Sequence, residues 1–148
     1  MIKFNRGNYP EFSNFHICKV EVRGLLYSSS EAAFQSLKTR MVNERIKFCD
    51  YAPGVAKKMG RKVTLRPDWE EVKYDIMLEC LCAKFTQNPE LRDLLLSTGD
   101  EEILEDTTAW HDNTWGSCSC PKCVNIEGQN LLGKALVEVR EMLRAGKI

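Results

Sequence analysis

Apolar residues recur at helical spacing over much of the chain. The first such pattern covers residues 31–48 and predicts a helix; its apolar positions are Phe34, Leu37, Met41, Val42 and Ile46. The longest pattern covers residues 66–88, where Pro67 suits the first turn and the acidic residues after it favour the positive end of a helix. Its wide apolar face comprises Trp69, Val72, Ile76, Leu81 and Phe85.

Three shorter segments carry helix start and stop signals. Pro53 opens a predicted helix that stops near Gly60, and Pro89 opens another that Gly99 closes. The last predicted helix covers residues 130–146, with Asn130 as its cap and a glycine past its end.

The remaining regular structure is predicted to be short strands. Residues 2–4 and 102–108 each suit one strand, and residues 16–22 and 25–27 flank an Arg-Gly pair typical of a hairpin turn. Residues 109–129 are predicted to form an ordered loop. The chain is therefore expected to be a single, mainly α domain over residues 1–148, with a few short β-strands.

Composition and charge narrow the function classes. The 21 basic and 21 acidic residues cancel, which argues against binding to long duplex nucleic acid or to a membrane surface. No apolar run approaches the ~20 residues that span a bilayer, and the first ten residues lack the apolar core of a secretory signal. Seven scattered cysteines suggest reduced thiols, so we expect a cytoplasmic protein.

A polar stripe at the start of the first predicted helix is the main candidate for chemistry. Glu31, Gln35 and Lys38 fall on about one helical face among apolar neighbours. A capping box, in which Ser28 caps the helix and Glu31 reaches back to its amide, explains Glu31 equally well at this stage. As a site, the three residues would supply a general acid or base, an amide and an amine nucleophile, a set that suits cleavage of an N-glycosidic bond.

The segment 110–116 supplies aromatic and amide side chains. Trp110 is interpreted as a buried core residue (a core plug) beneath the loop, and His111 as a surface residue. For Trp115 a role in a site is favoured, because Gly116 after it permits close approach of the backbone.

Cys118, Cys120 and Cys123 contain one C-x-x-C pair, which is half of a zinc motif. A fourth ligand would have to be His111, His16 or a distant cysteine, so reduced thiols are favoured and zinc is kept as an alternative.

Two further features have both structural and functional interpretations. Arg61, in a basic cluster with Lys57, is either solvated or holds a phosphate. Gly133 costs its helix about 1 kcal/mol relative to Ala, so either another helix or a ligand should approach its backbone.

Taken in order, several blocks of the chain resemble the NADAR domain, also called YbiA-like, over residues 12–143. The blocks are FSNF, SSSEAAFQSLK, AKKMGRKVTLRPDWEEVKYDIMLECLCAKF, ELRDLLLSTGDEEILEDT, DNTWG and GQNLLGKALVEVRE. The resemblance implies a multihelical fold with orthogonal packing and an N-glycosidase without a cofactor. The implied substrate is a small phosphorylated riboside from early riboflavin synthesis, which would release ribose 5-phosphate, or an ADP-ribosylated guanine in nucleic acid.

The resemblance also implies site residues. The implied catalytic residues are Glu31, Lys38 and Asp112. The implied substrate-binding residues are Asn14, Phe15, Gln35, Lys57, Arg61, Trp69, Asn113, Trp115, Gly116, Asn130 and Gly133. In the expected arrangement Trp115 and Phe15 sandwich the base, and Lys38 either forms a transient imine or acts electrostatically. The three-cysteine insert departs from the shorter enterobacterial version of the family and inherits no role.

Two other function classes remain open from the sequence: a nucleotide-binding module of the ADP-ribose type without turnover, and a zinc-tied interaction domain that uses residues 118–123. The sequence does not predict an oligomeric state.

Overall fold

The computed structural model describes residues 1–148, and the chain divides into two compact units, residues 1–13 with 93–148 and residues 14–92. The helices are α1 (Ser30–Ser36), α2 (Val42–Lys47), α3 (Pro53–Met59), α4 (Trp69–Gln87), α5 (Pro89–Ser97) and α6 (Leu131–Arg144). The strands are β1 (Ile2–Phe4), β2 (Val20–Val22), β3 (Leu25–Tyr27) and β4 (Ile103–Glu105). Short 3-10 helices cover Pro10–Phe12 and Phe48–Asp50. The predicted mainly α class with a few short strands is confirmed, whereas the single domain stays a prediction.

In the unit of residues 14–92, β2 and β3 form the predicted antiparallel hairpin. Arg23 and Gly24 both have a positive φ, 51° and 82°, as a two-residue turn with the twist of a hairpin requires. The hairpin packs against α4. The Gln87 side chain on that helix accepts a hydrogen bond from the Glu21 amide and donates one to the Glu21 carbonyl.

The predicted continuous helix over residues 31–48 is wrong. The chain leaves α1 after Ser36, and α2 begins only at Val42. Thr39 occupies the break: its hydroxyl accepts a hydrogen bond from the Met41 amide and its carbonyl accepts one from the Arg45 guanidinium. Such local bonds from a threonine side chain compete with helical hydrogen bonds.

The apolar positions beyond the break also differ from the prediction. Met41, Val42 and Ile46 lie on the surface with 45%, 59% and 51% of their area exposed, whereas Phe34 and Leu37 are buried.

Helix α4 contributes several residues to the core of this unit. Ile76, Leu81 and Phe85 are buried as predicted, and α4 packs against α1 as well as the hairpin. Pro67 precedes the helix instead of lying in its first turn, which begins after Asp68. No helix in the molecule combines the length and the apolar character needed to cross a membrane.

In the other unit, β1 pairs in parallel with β4, and α6 packs against β4. The helix expected to approach Gly133 is replaced by this strand: a Cβ there would lie 2.0 Å from the Ile103 carbonyl oxygen. Asn130 precedes α6 in the left-handed conformation, with φ 51°, but its side chain does not cap the helix. That side chain instead accepts from the Glu105 amide at 3.0 Å and donates to the Ile103 carbonyl at 2.8 Å. Gly133 and Asn130 thus join α6 to β4, and a ligand contact by either residue stays a prediction.

The substitution Gly133→Ala should destabilise the protein by about 2–3 kcal/mol, because its methyl group would overlap backbone and force α6 from β4. The free energy of unfolding from urea titration measures this effect. Lys134→Ala, at the next and exposed position of the same helix, is the control. Equal stability of the two variants would show that α6 and β4 can move apart at Gly133 at little cost in free energy.

Candidate active site

The start of α1 is fixed by Ser29 and Asn14. Ser29, and not Ser28, is the N-cap: its hydroxyl accepts a hydrogen bond from the Ala32 amide at 3.1 Å. The Glu31 amide donates to the Asn14 carbonyl at 3.1 Å, and the Ser30 hydroxyl donates to the Asn14 side chain at 2.8 Å. With Ser29 as the cap, Glu31 is the second helical residue and not the third, so the predicted capping box is wrong.

The Glu31 carboxylate is therefore available for another role, and it is buried, with 7% of the residue exposed. The Gln35 side chain, one turn later, donates a hydrogen bond to a Glu31 carboxylate oxygen at 2.8 Å. The Gln35 amide oxygen is buried without a hydrogen-bond partner. A buried amide with one free acceptor is uncommon in folded proteins and marks a position where a ligand donor can bind.

Gly60, at the end of α3, makes room for the Gln35 amide. A Cβ at residue 60 would lie 2.0 Å from the Gln35 amide oxygen. The backbone of Gly60 is right-handed helical, with φ −60° and ψ −21°, so any residue could adopt its conformation. Glycine is required here for space, and the sequence analysis missed this role.

Lys38 lies two residues beyond α1, but its amine remains near the same carboxylate. The amine is 5.7 Å from the centroid of the Trp69 ring, and that ring packs on Phe34 with centroids 5.2 Å apart. Burial lowers the pKa of Lys38, the charge of Glu31 raises it in part, and the charge of Arg61 lowers it further. The net decrease makes the neutral, nucleophilic amine more accessible than in an exposed lysine.

The turn that carries Lys38 is tied to the segment before α4. The Arg66 amide donates to the Lys38 carbonyl at 2.7 Å. The Arg66 guanidinium forms two hydrogen bonds with the Asp68 carboxylate, and Arg40 lies 3.2 Å from the same carboxylate. The Arg66 hydrogen bonds hold the pKa of Asp68 to about 2.

The other predicted substrate-binding residues of this unit include two basic side chains and an aromatic ring. Lys57 and Arg61 are exposed at the end of α3. The Lys57 amine lies 5.9 Å from the centroid of the Phe15 ring. Asn14, in contrast, uses its carbonyl and both side-chain polar atoms to support α1 and Met77, so a ligand contact by Asn14 stays a prediction.

The predicted loop residues belong to the other unit and have structural partners there. Asp112 accepts hydrogen bonds from the Thr114 and Trp115 amides at 2.8 and 3.0 Å. Asn113 accepts one from the Cys118 amide at 2.9 Å. A Cβ on Gly116 would lie 2.3 Å from Thr107, so this glycine is required by packing.

The two tryptophans of this loop differ in environment. Trp110 is 41% exposed, so its interpretation as a core plug is wrong. Trp115 is half-buried. The sandwich of a base between Phe15 and Trp115 involves residues of both units and stays a prediction.

The same loop gathers four potential metal ligands, His111, Cys118, Cys120 and Cys123, whose donor atoms all lie within 4.8 Å of one another. The sequence left a fourth ligand of the half-motif open, and of the residues it considered, His111 is the one that lies beside the three cysteines.

A surface hollow of about 420 Å³ lies between residues 16–18 and 87–91. None of the predicted catalytic residues lines it, so it is separate from the Glu31 cluster.

With this geometry established, comparison with known proteins assigns the chain to a family. The model of the NADAR domain matches residues 3–144. The chain belongs to the NADAR family.

Curated relatives of this NADAR chain carry enzyme names. N-glycosidase YbiA of Escherichia coli K12 is 38% identical over 144 residues, which cover 95% of this chain and 85% of that protein. N-glycosidase Npun_R5314 of Nostoc punctiforme is 33% identical over 142 residues, covering 92% and 86%. These relatives confirm the predicted enzyme class, a hydrolase of N-glycosyl bonds.

The NADAR fold is also confirmed by a solved structure. The NMR structure of the Escherichia coli protein YbiA superposes with a TM-score of 0.84 at 36% identity, covering 99% of this chain and 86% of that chain. The riboflavin biosynthesis protein VVA0006 of Vibrio vulnificus is a more distant NADAR relative, 30% identical over 140 residues. The match covers 93% of this chain but only 36% of that protein.

The Gly60→Ala variant tests whether the Gln35 amide matters to the reaction. The added methyl group should push the amide away from Glu31 and lower N-glycosidase turnover about ten- to a hundredfold. The protein should stay folded, because the severe overlap is with a side chain and the nearest backbone atom, the Ala56 carbonyl oxygen, is 3.2 Å away. Steady-state kinetics beside a thermal melt would measure both effects. Gly54→Ala is the matched control, since no atom lies within 4 Å of a Cβ at that position of the same helix. Equal turnover of the two variants would contradict a role for the Gln35 contact.

Proposed function

We propose that this chain hydrolyses the C1–N bond of a phosphorylated N-riboside, namely the aminopyrimidine ribosyl phosphates of riboflavin synthesis, and releases ribose 5-phosphate. One observation carries the proposal. A buried carboxylate, Glu31, is hydrogen-bonded to an amide and lies near Lys38, whose pKa burial has lowered. An acid and a nucleophilic amine in one apolar environment are what cleavage of an N-glycoside requires.

In the proposed reaction, Glu31 in its acid form donates a proton to the exocyclic nitrogen as that nitrogen leaves C1. Once ionised, the same carboxylate accepts a proton from the attacking water, so the cycle consumes one water and returns Glu31 to its acid form. The Gln35 amide orients the carboxylate by its 2.8 Å hydrogen bond. Its free oxygen is available to accept from a sugar hydroxyl or from the departing amine.

Lys38 is proposed to act covalently. Opening of the ribose ring gives an imine between C1 and the exocyclic nitrogen, and the neutral Lys38 amine adds to C1. The pyrimidine amine then leaves with the proton from Glu31, and water hydrolyses the resulting lysine imine to open-chain ribose 5-phosphate. The lowered pKa of Lys38 supports this role, because only the neutral amine can add to carbon.

Substrate recognition is proposed to use the cations and the aromatic ring of the same unit. Arg61 can bind a phosphate with two parallel hydrogen bonds, and its charge already acts on Lys38. Phe15, with Lys57 beside it, offers a face on which a pyrimidine can stack. No step is assigned to Asp112, because one of its carboxylate oxygens accepts two loop amides.

The name of the Vibrio vulnificus relative, riboflavin biosynthesis protein, supports the riboflavin intermediates over ADP-ribosylated guanine. Incubation of the protein with each substrate type, followed by chromatography, would distinguish them. Free ribose 5-phosphate from the riboflavin intermediates is the expected result. Release of free ADP-ribose would instead identify ADP-ribosylated guanine as the substrate. Binding without either product would support a nucleotide-binding module without turnover. The cytoplasmic location stays a prediction, supported by the seven free cysteines.

Glu31→Gln should lower kcat by at least about a hundredfold, because an amide can neither give nor take the proton. Substrate affinity, measured by calorimetry, should change little, since the substituted side chain has nearly the same shape. Glu71→Gln, an exposed change in the first turn of α4, is the control. Full activity of Glu31→Gln would remove the carboxylate from the mechanism.

Reduction with borohydride during turnover should trap a ribose phosphate adduct on Lys38, detectable by peptide mass spectrometry. The rising limb of the pH–rate profile should fall below 10.5, the pKa of an ordinary lysine, because burial lowers that of Lys38. The Lys38→Arg variant should form no adduct and should lack the rising limb of the pH–rate profile. The Lys58→Arg variant, changed at an exposed position of α3, should keep both. An active enzyme that yields no adduct would instead favour electrostatic stabilisation by Lys38.

A further inference from the structure

The loop at residues 111–123 contains a complete set of metal ligands that plays no part in the reaction proposed above. The His111 Nδ1 atom lies 3.2 Å from the sulfur of Cys118, 3.3 Å from that of Cys120 and 4.0 Å from that of Cys123. One ring nitrogen therefore faces three sulfurs, although even the nearest of these cysteines in the chain lies seven positions after His111.

These distances are close to those of a tetrahedral metal site. Zinc binds sulfur at ~2.3 Å and imidazole nitrogen at ~2.0 Å, which places neighbouring donors ~3.5–3.8 Å apart. The three nitrogen–sulfur distances lie on both sides of this range, and every pair of donor atoms lies within 4.8 Å. One ion can contact all four donors after side-chain shifts of up to about 1 Å.

The backbone around the cysteines also suits a metal site. The segment from Cys120 to Cys123 is a tight turn, closed by a 3.0 Å hydrogen bond from the Cys123 amide to the Cys120 carbonyl. Pro121 occupies the second position of this turn, where its fixed φ is favourable.

We propose that His111, Cys118, Cys120 and Cys123 bind one Zn²⁺ ion in a closed, structural Cys₃His site. Three thiolates and one imidazole are the donor set of structural zinc, and softer ligands of this kind exclude Mg²⁺ and Ca²⁺. Four protein ligands leave no position for water, so the ion stabilises structure and activates no nucleophile.

The position of the ligands shows what the ion would stabilise. His111 immediately precedes residues 112–117 and Cys118 immediately follows them, so the metal closes this six-residue segment at both ends. At this segment, the Asn113 side chain accepts a hydrogen bond from the Cys118 amide. The Asp112 carboxylate accepts hydrogen bonds from the Thr114 and Trp115 amides. Zinc would thus order the loop that carries Asp112, Asn113 and Trp115, a segment without helix or strand.

Metal analysis of the full-length protein, purified with a reductant and passed through gel filtration, tests the proposal. We expect about one zinc per chain in the wild type and in Cys49→Ser, whose cysteine lies outside the cluster. Cys120→Ser and His111→Ala should retain less than about a fifth of that amount. Zinc retained fully by both of these variants, or absent from wild type even after incubation with zinc, would overturn the site.

Cobalt replacement keeps the test independent of how the variants fold. Wild-type protein stripped with a chelator and titrated with Co²⁺ should develop the intense visible bands of a tetrahedral ion and sulfur-to-metal charge transfer, saturating at one equivalent. Weak octahedral bands, or a disulfide among the three cysteines in freshly reduced and purified protein, would contradict the proposal. Zinc should also raise the melting temperature of wild type but not of Cys120→Ser.

Discussion

A carboxylate buried at the second residue of α1 constrains most of the structure around it. Removing a carboxyl group from water costs free energy unless neighbouring polar groups replace the solvent. Here the Gln35 amide and the nearby Lys38 amine supply that replacement, and the backbone of Glu31 is fixed through Asn14. The glycine at position 60 follows from the same constraint, because a larger residue would occupy the volume of the amide.

Local patterns predicted much of the fold correctly. The hairpin at Arg23-Gly24, the helices opened by Pro53 and Pro89 and the long helix α4 all depend on residues close in sequence, and each was found. The prediction of one helix over residues 31–48 was wrong because the helical spacing of apolar residues continues past Ser36, whereas the helix ends there. Spacing alone carries no information about Thr39, whose side chain competes for the backbone and allows the chain to turn.

The candidate site divides in the same way. The spacing of Glu31, Gln35 and Lys38 identified the polar group, although Lys38 proved to lie beyond the helix. The choice of Ser29 as the cap depends on Asn14, fifteen positions earlier, and the role of Gly60 depends on Gln35, so neither could be derived from local sequence. His111 was only one of several possible partners for the cysteines until the loop conformation was known.

The support beneath Lys38 has a consequence for how the enzyme responds to acidity. The carbonyl of Lys38 is anchored by residue 66, whose guanidinium is in turn locked onto Asp68. That carboxyl gives up its negative charge only near pH 2, far below the range in which an amine titrates. The ion pair between Arg66 and Asp68 therefore persists over the range in which the Lys38 amine changes protonation, so a change of pH can alter the reactivity of that amine without removing the contact that supports it.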